Sequence, residues 1–151
     1  MSTRWQQLRE RLINFYPPFL GAGIRSKQID SHTVRVEMKL TPWNRNVVGT
    51  HFGGSLYAMC DPWFMLILMR LLGRDYIVWD KSASIKFVRP GRGTVTATFC
   101  ITPDHVDAIR AQVERENKIE PMFSVDVVDE RNQIVAHVDK LLYVRKKNSP
   151  S

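Results

Sequence analysis

Between Asn46 and Leu72 the chain reads Asn-Val-Val-Gly-Thr-His-Phe-Gly-Gly-Ser-Leu-Tyr-Ala-Met-Cys-Asp-Pro-Trp-Phe-Met-Leu-Ile-Leu-Met-Arg-Leu-Leu. A glycine-punctuated segment leads into an almost unbroken apolar run whose only acid is Asp61. A helix that is apolar on every side has to be enclosed on every side. The rest of the chain must therefore wrap it. A carboxylate in such a run needs a partner or a chemical task, because an unpaired buried charge is costly.

The flanking segments supply the wrapping. Residues 33–40 alternate cleanly, with Val34, Val36, Met38 and Leu40 on one face and Arg35, Glu37 and Lys39 on the other, the pattern of a half-buried strand. Residues 76–88, 94–101, 122–128 and 134–144 read as four more strands, the last two joined by the Asp129-Glu130-Arg131-Asn132 turn. Trp5, Leu8, Leu12 and Phe15 predict a helix over 3–16 packed outside the sheet and ended by Pro17-Pro18, with a glycine-rich loop over 19–23. Val106, Ile109 and Val113 predict a helical insertion near 105–117, capped around Pro103-Asp104. The expected architecture is α+β, five strands curled about one long helix. Such a sheet leaves edges that must be covered, and edge-to-edge pairing of two copies would cover them, so a homodimer is expected.

Length and composition narrow the class. The 151 residues suit one domain over 1–146, with 147–151 as a disordered tail. The two cysteines, Cys60 and Cys100, lie in apolar surroundings without metal-ligand spacing, which fits a reducing, cytoplasmic setting. The polar residues Gln6, Gln7, Arg9, Glu10 and Arg11 stand where a signal peptide needs an apolar core. The run 56–72 is short for a membrane span and carries Asp61 and Pro62, so it reads as core. The net charge of +7 raises nucleic acid as a partner, but the bases are scattered, without a stripe or motif. A phosphorylated small ligand fits the charge equally well.

Two features can carry chemistry. Gly53-Gly54 open the apolar helix, where the first amides have no internal partners and glycine allows close approach. Those amides can polarise a carbonyl and hold an oxyanion. Equally, the two glycines can simply make a tight strand-to-helix turn. Asp61 in apolar surroundings suits a general base for water, or a nucleophile. Followed by Pro62, it also has the form of a helix start, with Asp as N-cap and Pro at the first helical position. On one continuous helix Gly53 and Asp61 would stand about 12 Å apart. They could then share a substrate only if each came from a different subunit. His51 could orient the carbonyl or hold the loop, and Asn46 could position the attacking water. No histidine cluster, nucleophile elbow or phosphate loop is present in the sequence, so neither metal nor cofactor is expected.

The pattern Asn46-x-x-Gly49-x-His51-x-Gly53-Gly54, the acid at 61 and the strand from Ser84 into Arg89-Pro90-Gly91 resemble the hotdog-fold acyl-CoA thioesterases of the phenylacetyl-CoA thioesterase type. The likeness runs from about Gly23 to Val144, with Phe52 inserted between His51 and the glycine pair. It implies a hotdog fold, a helix continuous through Pro62, a catalytic Asp61 and a Gly53 amide acting across a dimer or a dimer of dimers. It also implies Lys86, Arg89 and Arg92, with Gly54, near the CoA phosphates, and acyl-CoA or an acyl-carrier-protein thioester as substrate. Trp63, Phe64, Met65 and Met69 read mainly as core, with some of them, Phe64 included, candidates to line an acyl pocket. A non-catalytic acyl-CoA or lipid-binding dimer on the same scaffold is the alternative, and a hotdog dehydratase a third.

Overall fold

The structure, a computed structural model, describes residues 12–147. Residues 3–11 of the expected N-terminal helix and 148–151 of the expected tail lie outside it. A 3-10 turn at Ile13–Phe15 leads into helix α1 (Pro17–Ala22), then strands β1 (Ile24–Gln28) and β2 (Thr33–Lys39). Helices α2 (Gly53–Ala58) and α3 (Trp63–Leu72) follow. Then come β3 (Tyr76–Phe87), β4 (Thr94–Cys100), α4 (Pro103–Glu116), β5 (Lys118–Ile119), β6 (Met122–Val128) and β7 (Ile134–Lys146).

One antiparallel sheet in the order β1-β2-β4-β6-β7-β3, with β5 also on β7, carries the chain. Its inner face is built by the alternating residues: Val34, Val36 and Met38 on β2, Val95, Ala97 and Phe99 on β4, Val138, Leu142 and Val144 on β7 are all buried. Against them lie Trp63, Phe64, Ile67, Leu68 and Leu72 of α3. Phe64 stacks on Phe123 at 5.0 Å and meets Phe99 edge-on at 5.1 Å. This is the α+β hotdog arrangement, a sheet wrapped around a central apolar helical run. By length and composition Gly53–Leu72 could cross a membrane, but the structure sets it in the core and interrupts it.

Four expectations need correction. Among the described residues the sheet has seven strands, not five. β1 escaped detection because Ile24 is its only buried residue, and β5 because it is two residues long. Residues 19–22 are helical rather than loop, because Pro17-Pro18, which follow the end of the helical turn at Phe15, open a new helix. Tyr16 is extended, the prolines occupy the first helical positions where a missing N–H costs nothing, and Gly23 ends the helix at φ 72°. The cap of α4 is Thr102, whose Oγ1 accepts from the His105 amide at 3.3 Å.

Finally, the central helix is not continuous through Pro62. Proline cannot donate to the Ala58 carbonyl, which takes the Asp61 amide at 3.4 Å instead, while Cys60 donates to Tyr57 at 2.8 Å. These tighter bonds close α2, and Pro62 becomes the N-cap of α3 without any side-chain cap. Asp61 therefore sits at a joint between two helices and is not a cap residue.

At the edge of the sheet, β3 pairs only with β7, with a bulge between Asp80 and Ser82. From Lys81 to Phe87 every residue except the half-buried Ile85 is exposed on either face. In the single chain this half of β3 therefore has no buried face, unlike β2 and β4.

Candidate active site

The loop between β2 and α2 is held by its own side chains. Asn46 accepts from the Val48 and Thr50 amides through Oδ1 at 3.1 and 3.0 Å, and its Nδ2 donates to Thr50 Oγ1 at 3.0 Å. Gly49 turns the chain at φ 78°. His51 is 3% exposed. Its amide donates to the Gly91 carbonyl at 3.0 Å and its Nε2 to the Gly93 carbonyl at 2.9 Å. A carbonyl only accepts, so Nε2 carries the hydrogen, and Nδ1 is buried with no partner among the described residues. Burial holds His51 below its ordinary pKa, against the opposing pull of the Gly93 carbonyl.

Those bonds bring the Arg89-Pro90-Gly91-Arg92-Gly93 turn beside the start of α2. Gly53 and Gly54 follow an extended Phe52, and their amides donate to no group among the described residues. The Phe87 ring lies so close over Gly53 that a Cβ there would stand 2.9 Å from its Cζ, and the Phe52 ring covers Gly54 in the same way at 2.5 Å. Both rings are more than half exposed. Arg89 and Arg92 are exposed on that turn, with Arg89 held to Gln133 Oε1 at 2.5 Å, while Lys86, also exposed, pairs across the strands with His137 and acts on Asp139. Gly53, Gly54, His51, Asn46 and the basic turn thus form one neighbourhood.

Asp61 belongs to another. Its Oδ1 accepts from the Tyr57 hydroxyl at 2.8 Å and from Lys140 Nζ at 3.1 Å. The expected apolar surroundings are thereby corrected: a cation sits against the carboxylate. Lys140 is 1% exposed, and its Nζ also reaches Tyr57 Oη at 3.2 Å and Asp80 Oδ2 at 3.1 Å. Burial raises the pKa of Asp80, with Lys140 opposing it, and burial raises that of Tyr57. For Lys140 the three hydrogen-bonded oxygens outweigh burial and lift its pKa, so it stays charged. The Asp61 side chain is half exposed, and no group among the described residues bonds its Oδ2. Beside it opens a cavity of about 480 Å³ whose other walls are Leu12, Ile13, Phe15, Tyr16, Phe19 and Pro62.

Phe64 stands apart from both neighbourhoods, in the core between Phe99 and Phe123. Lys140 was absent from the sequence reading, yet a signal was there. It occupies an inward position of β7 among Val138, Leu142 and Val144, and a lysine in an apolar alternation has to meet a counter-charge.

Residues 5–144 match the family model described as Domain of unknown function (DUF4442), and the chain belongs to that family. No curated protein matches the sequence. Among solved structures, a Pseudomonas aeruginosa protein described as a probable thioesterase superposes with a TM-score of 0.80 at 19% identity, covering 94% of this chain and 96% of that one. A Haemophilus influenzae thioesterase gives 0.69 at 17% identity, over 97% and 93% of the two chains. The Escherichia coli PaaI protein from the phenylacetic acid degradation operon gives 0.61 at 18%, over 96% and 94%. At these identities the likeness is one of fold, and the fold is the hotdog.

Proposed function

We propose that this protein is a thioester hydrolase acting on an acyl-CoA, or on an acyl group carried by a carrier protein. The observation that carries the reading is Asp61: one carboxylate oxygen is held by two donors, the other by no group among the described residues, and the residue lines a largely apolar cavity. The names of the structural relatives support the same chemistry.

In this reading the Gly53 amide polarises the thioester carbonyl, and the Gly54 amide lies next to it. Asp61 takes a proton from water as the water oxygen attacks the carbonyl carbon. The resulting oxyanion rests on the helix amide, and the C–S bond breaks as the thiolate receives the proton back. His51 and Asn46 act by fixing the loop that aims the amide. Lys86, Arg89 and Arg92 attract the CoA phosphates.

The two neighbourhoods come together in a homodimer. Asp80, which reaches Lys140, and Phe87, which lies on Gly53, stand roughly 20 Å apart along β3 at about 3.3 Å per residue. If two β3 edges pair antiparallel about a twofold axis between Ala83 and Ser84, Asp80 faces Phe87 of the partner subunit. Asp61 of one copy then approaches the Gly53 amide of the other.

A second reading, acyl-CoA binding without turnover, is favoured by the Phe52 and Phe87 rings, which crowd the two glycines. Thiol release from acyl-CoAs of graded length and aromatic type separates the two. Hydrolysis by wild type and its loss in a folded, dimeric Asp61→Asn protein are expected. Binding without any thiol release would sink the hydrolase reading.

A further inference from the structure

A buried lysine is an unusual resident of a core. Moving an ammonium out of water costs several kcal/mol, and its attraction to a partner recovers this only with good geometry and additional hydrogen bonds. Lys140 has that geometry: 1% exposed, with Tyr57 Oη, Asp61 Oδ1 and Asp80 Oδ2 all within 3.2 Å of Nζ. It rises from the centre of β7, where its backbone faces Ala83 of β3 and Phe123 of β6. Its anchor on the far side, Asp80, lies at the bulge of the edge strand.

The consequence falls on Asp61. This residue follows the interrupted end of α2, where its amide makes only a long 3.4 Å bond to the Ala58 carbonyl and Pro62 supplies no donor, so the backbone alone holds it less firmly than a helix interior would. Its Oδ1 is fixed from two directions by Tyr57 and Lys140, and Oδ2 is left for a ligand. Resting on the hydrolase reading above, we infer that Lys140 is a positioning residue for the reaction. Anchored by Asp80, it sets the direction of the Asp61 carboxylate and leaves one oxygen turned to the attacking water. Lys140 does not itself touch the substrate.

Lys140→Met fills the slot but leaves Asp80 beside an apolar chain, so the decisive comparison is Asp80→Asn against Asp80→Asn with Lys140→Met, where no carboxylate is stranded at that position. Turnover per folded molecule is measured for both, with KM, and alongside wild type. A carboxylate out of line by an ångström can cost about a hundredfold. The expected result is a 10- to 100-fold fall in kcat on removing Lys140, with KM within about twofold, and recovery of part of the loss by Lys140→Arg, whose guanidinium can still bridge two carboxylates. A merely structural lysine would lower the unfolding midpoint and leave kcat per folded molecule and the KM unchanged. That outcome overturns the inference while the hydrolase reading stands. Absence of thiol release in the wild type would overturn both, and would be visible before any variant is made.

Discussion

His51 and Gly93, 42 residues apart in the chain, are joined by a hydrogen bond of 2.9 Å from the imidazole Nε2 to the carbonyl. The bond ties the glycine loop that leads into α2 to the basic turn after β3. It also favours a neutral ring, since a second proton would sit on Nδ1, which is buried with no acceptor among the described residues. Folding therefore opposes protonation, and burial holds the group below its ordinary value of 6.5. The unfolded chain takes up the proton first as the pH falls. Stability from this source is complete above about 6.5 and is lost as the pH drops through the folded value, with a slope of up to about 1.4 kcal/mol per pH unit. Denaturant midpoints at pH 7.5 and 5.5 should fall further for wild type than for His51→Gln, whose amide can keep the donor. Equal falls would mean that the ring does not titrate in this way.

Gly91 lies against the same ring. A Cβ there would meet Val135 Cγ1 at 3.0 Å and His51 Cδ2 at 3.2 Å, in a site with little room to yield. Gly91→Ala should cost about 1–3 kcal/mol, the usual range for overpacking, measured by equilibrium unfolding. A neutral result would show that the turn moves freely over His51.

Gly53 presents the opposite case. An added methyl meets only the far end of Phe87, a ring 58% exposed that can swing aside. Gly53→Ala should leave stability within about 1 kcal/mol. In the proposed reaction it should lower kcat/KM at least tenfold, about 1.4 kcal/mol of transition-state stabilisation. An unaffected kcat/KM would remove this amide from the oxyanion site.

The two thiols should separate cleanly. Cys60 is fully buried, and burial pushes its pKa up to about 12, whereas Cys100 is exposed. A thiol-specific disulfide reagent at pH 8 should titrate one group in the native protein and two in denaturant. Two fast equivalents in the native state would mean that the joint at Asp61 opens readily.

The exposed edge of β3 predicts the mass of the assembly. Light scattering on the purified protein should give twice the chain mass of 17.5 kDa, or a multiple of that dimer. A monomer that still hydrolyses thioesters would exclude the shared site.

Much of the fold was legible because alternation is a local signal. Val34, Val36 and Met38 against Arg35, Glu37 and Lys39 need no tertiary information to read as a strand, and the buried residues match that face. β1 was illegible for the same reason reversed: it is a polar edge strand, held by its register with β2 and not by apolar periodicity. At the site, the glycine pair and Asp61 were readable from spacing, as features of one segment. The Asp61–Lys140–Asp80 cluster was not, because its members come from a helix joint and two strands that only the folded sheet brings together. A long apolar run likewise looks like one helix until Pro62 withdraws its donor.

That withdrawal alters what chain length means across the segment. In an unbroken helix, one residue added before Asp61 would rotate everything upstream by about 100° relative to everything downstream. Here the turn at Cys60–Pro62 breaks the helical register, and the facing of α2 against α3 is set instead by the burial of Leu56, Met59 and Cys60 in the shared core and by the Trp63 Nε1 bond to the Met59 carbonyl at 2.8 Å. A change of loop length ahead of α2 would leave these anchors, and the hydrophobic interior on which folding depends, in place.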